Sequence, residues 1–152
     1  MHIKLDDLTD PKIHALLEEH LEDMRAISPP ESVHALDLEK LRKPDITFWS
    51  AWDGEELLGC GALKALSPGQ GEVKSMRTSR GRRRGGVARA ILQRILDEAN
   101  SRSYETLSLE TGSQVEFQPA QALYRSFGFN YCGPFEGYVE DPNSVFMTKM
   151  LP

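Results

Sequence analysis

The sequence predicts an α/β protein in which a mixed sheet, antiparallel in its first half, has helices on its faces. Between residues 46 and 78, three β-rich segments follow one another with only short turns between them, which is typical of an antiparallel meander. After residue 86, apolar helical patterns alternate with further strand segments, which indicates helices packed on a sheet. With a short strand and two helices at the N-terminus, the predicted order is β-α-α-β-β-β-α-β-α-β-β.

Length and composition indicate one folded domain over residues 1–152, with helices in 1–45, most of the sheet in 46–112 and a further helix and strands in 113–152. Hydrophobic residues make up 39% of the chain and charged residues 27%, a balance typical of a globular protein. The chain has no apolar run of about 20 residues and no signal-peptide pattern at its N-terminus. We therefore expect a cytoplasmic protein without a membrane partner.

The N-terminal third is expected to contain one short strand, at residues 2–5, and two helices. Asp10 followed by Pro11 is typical of a helix N-cap and first turn. An apolar face at spacings of three and four follows, formed by Ile13, Leu16, Leu17, Leu21 and Met24. This helix must end before Pro29, because proline has no amide hydrogen to donate. A second helix is expected over residues 36–41.

The meander is expected to comprise strands at residues 46–52, 57–66 and 72–78, which are rich in β-forming residues. Asp53 and Gly54 between the first two strands are a hairpin-turn signal. The second turn, between the last two strands, contains proline and two glycines.

The second half is expected to contain two helices and three strands. The first helix begins at Val87 and ends near Asn100, with an apolar ridge along one side. The second covers residues 120–127 and ends at Gly128, because glycine readily adopts the left-handed conformation that closes a helix. Strands are expected at residues 106–110, 129–132 and 145–150.

A basic, glycine-rich loop at residues 79–86 joins the third meander strand to the following helix. A helix N-terminus offers unpaired amide hydrogens and the positive end of the helix dipole. Glycines let an anion approach the backbone, and arginines add charge-assisted hydrogen bonds. The pattern favours a phosphate or pyrophosphate site, and the alternative is a solvated basic turn. No Gly-Lys-Ser/Thr sequence follows, which excludes a P-loop, and the glycine spacing excludes a Rossmann fingerprint.

Two motifs in the chain resemble those of the GNAT superfamily of acetyltransferases. Residues 83–88 fit the pattern Q/R-x-x-G-x-G/A between a strand and a helix. Residues 120–129 resemble the second signature, a short helix that bears a tyrosine and ends in Gly-Phe. The resemblance extends over roughly residues 46–150. It implies a mostly antiparallel sheet in which two central parallel strands splay apart, with helices on both faces.

The resemblance implies that acetyl-CoA is the cosubstrate and that its acetyl group moves directly to a primary amine of a small molecule, amino acid or peptide. The pantetheine arm would lie between the splayed strands, against the backbone of Met76, Arg77 and Thr78. Arg82 or Arg84 would lie near the terminal phosphate. The residues implied to bind the pyrophosphate are Arg83, Arg84, Gly85, Gly86, Val87 and Ala88.

The resemblance also assigns catalytic roles. Tyr124 would contact the cosubstrate near its sulfur and protonate the departing thiolate. An amine attacks only as the free base, so a carboxylate or a water chain must take its proton. Glu72, before the loop, and Glu110, at the end of the next strand, are the candidates. The alternative for each is a surface or turn carboxylate. A strand amide near Met76 would stabilise the oxyanion.

One position departs from the family. Many members have an asparagine seven residues before the tyrosine, and Phe117 occupies that position here. The contact of that asparagine to the cosubstrate is therefore in question, and Gln114 and Gln118 are the nearby candidates to replace it.

The family fold implies that the N-terminal region lines the acceptor pocket. His20 and His34 are candidates to bind the acceptor or take its proton, with an ordinary structural role as the alternative for each. Tyr138 is a candidate to close the pocket from the late loop. The histidines show no metal-ligand spacing with Cys60 or Cys132, so we expect no metal and two reduced thiols.

The resemblance thus implies a cytoplasmic N-acetyltransferase with a small-molecule amine acceptor, and it adds a homodimer as an expectation. The alternative is a catalytically silent acyl-CoA-binding regulatory domain. A third class, a nucleic-acid-binding module built on the arginine run, is disfavoured. The net charge is −5, and no aromatic residues interleave with the arginines.

Overall fold

The computed structural model describes residues 1–33, 37–82 and 85–152. The strands are β1 (His2–Leu5), β2 (Ile46–Asp53), β3 (Glu56–Ser67), β4 (Gln70–Thr78), β5 (Thr106–Gly112), β6 (Asn130–Cys132) and β7 (Ser144–Met150). The helices are α1 (Pro11–Ile27), α2 (Leu38–Leu41), α3 (Val87–Ser101) and α4 (Gln118–Ser126). The predicted order of elements is confirmed, while the expected start of α2 at Leu36 lies outside the described residues. Short 3-10 turns at Pro30–Ser32, Arg80–Arg82 and Val115–Phe117 are additions that the sequence did not predict.

The seven strands form one sheet in the order β1-β2-β3-β4-β5-β7-β6. The short turns of the meander make β2, β3 and β4 antiparallel, as expected. Helix α3 crosses over between β4 and β5, which are therefore parallel, and the remaining pairs are antiparallel. The predicted fold class, a mixed and mostly antiparallel sheet with one central parallel pair and helices, is confirmed.

Two apolar clusters, one on each face of the sheet, hold the helices in place. The larger packs α3 and α4 against the sheet and includes Trp49, Leu63, Ile91, Ile95, Leu107 and Met147. The smaller packs α1 and α2 against the other face and includes Ile13, Leu16, Leu41, Phe48 and Trp52. Every helix in the described ranges is too short or too polar to cross a membrane.

Gly61 on β3 lies under α3 with no room for a side chain. A Cβ atom there would lie 2.6 Å from Cγ2 of Ile91 and 2.8 Å from Sδ of Met76. We expect Gly61→Ala to destabilise the fold by about 1–3 kcal/mol, because a packed core accepts extra atoms only by shifting its neighbours. The urea midpoint measures this loss. Gly133→Ala is the matched control, since nothing lies within 4 Å of its Cβ position. Equal midpoints for the two variants would contradict the prediction.

The two parallel strands pair only along their first halves. The ladder runs from Gln70 opposite Thr106 to Val73 opposite Leu109 and stops there, although both strands continue. Beyond this point β4 contains a bulge, in which Ser75 and Met76 together face Gly61 of β3. Ser75 adopts a left-handed φ of 55°. The gap that opens between β4 and β5, which we call the split, leaves their facing backbone edges unpaired with each other.

Candidate active site

The split is bordered by residues 74–78 of β4 and residues 110–112 of β5. It includes Met76, Arg77 and Thr78, the backbone positions expected to contact an extended ligand. Strand edges that do not pair with each other leave N–H and C=O groups available to a third chain or an extended ligand. The geometry therefore suits a narrow, amide-containing molecule between the strands.

The glycine-rich loop leads from β4 to the start of α3. Gly86 is the N-cap of α3, with a φ of 82° and no side-chain hydrogen bond to the first turn. The first amides of the helix, including those of Val87 and Ala88, therefore point outward as hydrogen-bond donors. Glycine at this position adopts the left-handed backbone without strain. Arg83 and Arg84 lie outside the described residues, and nothing is described of the Arg82 side chain.

Tyr124 on α4 is 6% exposed and belongs to the apolar cluster that includes α3. Its ring meets that of Phe129 edge-on at 5.9 Å. Burial raises the pKa of Tyr124 well above its ordinary value, and the negative charge of Glu110 raises it further. The hydroxyl is therefore protonated at neutral pH and can act as a proton or hydrogen-bond donor.

Glu72 and Tyr138, which the sequence placed 66 residues apart, form one hydrogen-bonded cluster with Lys74. The Tyr138 hydroxyl donates to Oε2 of Glu72 at 2.7 Å. The Lys74 ammonium donates to the same oxygen at 3.1 Å and to the Tyr138 hydroxyl at 2.9 Å. The side chains of Lys74 and Glu72 are only 8% and 3% exposed. A buried charge of this kind is tolerated when it is paired and hydrogen-bonded, as here.

Tyr138 also connects this cluster to β7. Its ring packs against Phe135 and Phe146 with centroid distances of 5.2 and 5.5 Å. Burial raises the pKa of Tyr138 far above its usual range, and the charge of Glu72 and, more weakly, of Glu110 adds to the shift. Glu110, which borders the split, thus lies close enough to act electrostatically on both Tyr124 and Tyr138.

A cavity of about 470 Å³ opens beside the cluster, at the start of β4. Its volume falls within the range of about 300–1,000 Å³ that is usual for small-molecule sites. Six of the lining residues are charged, and four are not. The lining residues are Val33, Lys40, Asp45, Lys64, Ala65, Leu66, Glu72, Lys74, Glu136 and Tyr138.

The side chain of Arg77 has a structural role in addition to the backbone contact expected of this residue. Its guanidinium reaches α1, where it binds Glu19 and, at 2.6 Å, Asp23. Arg80 also binds Asp23, at 2.6 Å. The hydrogen bond from Arg80, together with Arg77, lowers the pKa of Asp23 to about 2. These ion pairs fasten α1 to the part of β4 that borders the split.

His20 lies on α1 close to Arg77. Burial, and then the positive charge of Arg77, lowers the pKa of His20 to about 4. The imidazole is therefore neutral at pH 7, and it is a weak base. His34, the other histidine expected at the acceptor side, lies outside the described residues.

The lowered pKa of His20 predicts an acid-sensitive fold. In the unfolded chain the imidazole binds a proton below about pH 6.5, whereas in the folded protein it does so only near pH 4. The unfolded state binds more protons in this window, so stability falls as the pH drops from about 6.5 to 4. Urea midpoints at pH 7 and pH 5 should differ less for His20→Gln than for the wild type. An unchanged difference would show that His20 does not contribute to it.

Phe117, which stands in the place of the family asparagine, packs against the end of β5. A Cβ at Gly112 would overlap its ring. The Gln121 side chain donates to the Gly112 carbonyl at 2.7 Å. Gln114 instead donates to Asn143 at 3.0 Å and more weakly to Ser28, so it connects three loops at this end of the sheet. The side chain of Gln114 thus already has partners within the protein.

Sequence patterns place Lys74 at the pocket wall without assigning it a role, and they do not place Lys64 at the site. A signal for Lys74 was present, because residues two apart on a strand share a face and Lys74 follows Glu72 by two. Lys64 lies opposite Glu72 only through the register of β3 with β4, which the sequence does not specify. Among the described residues, no group of three or more His, Cys, Asp or Glu side chains is placed to hold a metal ion.

Comparison with known proteins identifies close relatives. The model of the acetyltransferase (GNAT) family matches residues 13–129. The uncharacterized N-acetyltransferase YsnE of Bacillus subtilis is 64% identical, over 99% of this chain and 100% of the relative. The IAA acetyltransferase of Azospirillum brasilense is 43% identical, over 90% of this chain and 88% of the relative. The crystal structure of a Bacillus subtilis acetyltransferase in complex with CoA has the same fold, with a TM-score of 0.69, 17% identity and 99% coverage of both chains.

Proposed function

This chain belongs to the GNAT family of acetyltransferases, and from that premise we propose that it transfers the acetyl group of acetyl-CoA directly to a primary amine of a small molecule, amino acid or peptide. The observation that supports this proposal is the split between β4 and β5. Along β4 the cavity, the split and the glycine-rich loop follow one another in that order. An acceptor, a thioester with its pantetheine arm, and a pyrophosphate would occupy these three places in the same order.

The residues of the chain fit acetyl-CoA in two respects. The edge of residues 74–78 that faces β5 without pairing with it can hydrogen-bond the amides of a pantetheine arm as a strand would. The uncapped N-terminus of α3 at Gly86 can bind the pyrophosphate oxygens through backbone amides. Bound acetyl-CoA would supply an activated thioester carbonyl.

The side chains at the split supply the proton transfers. Tyr124 stays protonated at neutral pH and would donate to the departing thiolate. An amide at the bulge of Ser75 and Met76 would stabilise the negative charge that develops on the thioester oxygen. We assign the removal of the proton from the amine to Glu110. Glu110 lies on the stretch of β5 that no longer pairs with β4, beside the split, whereas Glu72 lies within the paired ladder opposite Ser108 and is bound by Lys74 and Tyr138.

This assignment predicts different kinetics for the two carboxylates. Glu110→Gln should lower kcat, because the amine loses its proton acceptor. Glu72→Gln should act mainly on KM of the acceptor, because it disturbs Lys74 and Tyr138 at the wall of the cavity. Steady-state kinetics of both variants with one acceptor measure this difference between kcat and KM. A loss of kcat in Glu72→Gln that exceeds the loss in Glu110→Gln would reverse the assignment.

The test of the proposed function has two stages. In the first, thermal stability and calorimetry are measured with acetyl-CoA, desulfo-CoA and ATP. Acetyl-CoA at about 100 times its Kd should stabilise the fold by about 2.7 kcal/mol. In the second, release of the CoA thiol is followed with a panel of amines. IAA is tested beside the amines, because the Azospirillum relative is named for it.

Each outcome has a distinct meaning. No stabilisation at millimolar acetyl-CoA would overturn the proposal at its first step. Stabilisation without thiol release from any acceptor, together with no effect of Tyr124→Phe, would support the silent acyl-CoA-binding domain instead. Stabilisation with amine-dependent thiol release would establish the transferase.

A further inference from the structure

The floor of the cavity, by which we mean Lys64, Glu72 and Lys74, contains one positive charge that no carboxylate of the floor neutralises. Lys64 of β3 lies directly opposite Glu72 of β4, and Lys74 lies two residues further along β4. All three line the cavity. Glu72 is paired with Lys74, at 3.1 Å, and also accepts from Tyr138. Lys64 is half-buried and, among the described residues, makes no ion pair. Among the residues that the structure describes, the floor therefore contains two ammonium groups and a single carboxylate.

The other charged residues described in the lining of the cavity lie at its rim. Asp45, Glu136 and Lys40 are exposed residues, so water and salt screen them. Charges at the less exposed floor act over a lower effective dielectric and count for more. A half-buried ammonium without a partner is also costly to the free protein. An anionic group bound at Lys64 would relieve that cost.

We propose that the amine acceptor itself carries an anionic group, such as the carboxylate of an amino acid or short peptide, and that this group binds against Lys64. The inference rests on the proposed acetyl transfer and specifies its acceptor. Lys74 is the first β4 residue beyond the paired ladder, so the amine end of the same molecule would face the split. Polyamines and other purely cationic amines would bring a second positive charge to the floor and would bind poorly.

Matched acceptors that differ only in the anionic group test the proposal. The panel pairs L-amino acids with their amides, glycylglycine with its amide, and 4-aminobutyrate with butylamine, and it includes putrescine and taurine. We expect the acids to be acetylated with at least a 10-fold higher kcat/KM than their neutral partners, and putrescine to be poor. Acetylation of taurine would show that any anion suffices, whereas rejection would restrict the site to carboxylates.

Variants at Lys64 test whether this residue binds the anionic group of the acceptor. Lys64→Met should raise KM for the acid by about 10-fold or more, with kcat and the KM of the amide nearly unchanged. Lys64→Arg should restore most of the affinity. Lys43→Met removes the same charge from an exposed residue that does not line the cavity, and it should leave both acceptors unaffected. Acetyl-CoA should stabilise every variant equally, which shows that each one folds.

The outcomes separate this inference from the function on which it depends. If acetyl-CoA stabilises the protein and amides or cationic amines are acetylated as well as the acids, the inference is wrong and the transferase stands. If Lys64→Met affects acid and amide alike, Lys64 does not bind the anionic group. If acetyl-CoA does not bind, both proposals fail together.

Discussion

Tyr124→Phe is expected to lower kcat by about 100-fold or more, the usual contribution of a positioned general acid. The hydroxyl is protonated at neutral pH, and burial and the charge of Glu110 both raise its pKa further above neutrality. Loss of one oxygen leaves the ring in its contact with Phe129. The fold and the affinity for acetyl-CoA should therefore change little. Thiol release under saturating substrates measures the effect.

Tyr104→Phe is the matched control. It removes the same atom from a tyrosine whose hydroxyl contacts only Arg102 among the described side chains, at 3.3 Å and away from the split. Its kcat should stay near that of the wild type. If Tyr124→Phe keeps its kcat within about threefold, proton donation by Tyr124 is not important for the reaction.

Gly86→Glu is expected to weaken acetyl-CoA binding by about 100-fold or more. The substitution places a carboxylate at the N-terminus of α3, where it would compete with and repel the pyrophosphate. It also forces a left-handed φ of 82° on a residue with a Cβ. Loss of two charge-assisted hydrogen bonds is sufficient for a change of this size. Calorimetry and the thermal shift with acetyl-CoA measure it directly.

Gly54→Glu is the matched control. It separates the effect of a carboxylate at the N-terminus of α3 from the general effect of adding a charge and a Cβ to the chain. Gly54 lies in the turn between β2 and β3, has a positive φ of 58° and has open space around its Cβ position. The variant thus adds the same charge with a similar backbone cost, away from the loop. It should bind acetyl-CoA as the wild type does. If Gly54→Glu and Gly86→Glu bind acetyl-CoA with equal affinity, the N-terminus of α3 is not part of the binding site.

Sequence patterns predicted the order of the elements because local signals coincide with the ends of elements. Asp10 accepts a hydrogen bond from the amide of Lys12, as an N-cap should. Gly128 follows α4 with a φ of 92°, as a helix-closing glycine should. These signals extend over only a few residues, so they can be recognised in a single amino-acid sequence.

Contacts between distant segments could not be predicted in this way. Tyr138 was expected near the acceptor, yet its bond to Glu72 depends on a loop whose path no local pattern specifies. The ion pairs of Arg77 with α1 depend on how a helix docks on the sheet. The position of Lys64 opposite Glu72 depends on the register of β3 with β4. Pairing across the sheet is a property of the folded chain as a whole.

The bulge in β4 has a consequence for protein engineering. In a regular strand, Lys74 and Arg77 would lie on opposite faces, since they are three residues apart. The extra residue at Ser75 and Met76 returns Arg77 to the face of α1, while Met76 packs with the apolar cluster that includes α3. A chimera that exchanges acceptor-side residues between relatives should therefore have its junction before Ser75. A graft that deletes the extra residue would direct the arginine into the apolar cluster and detach α1.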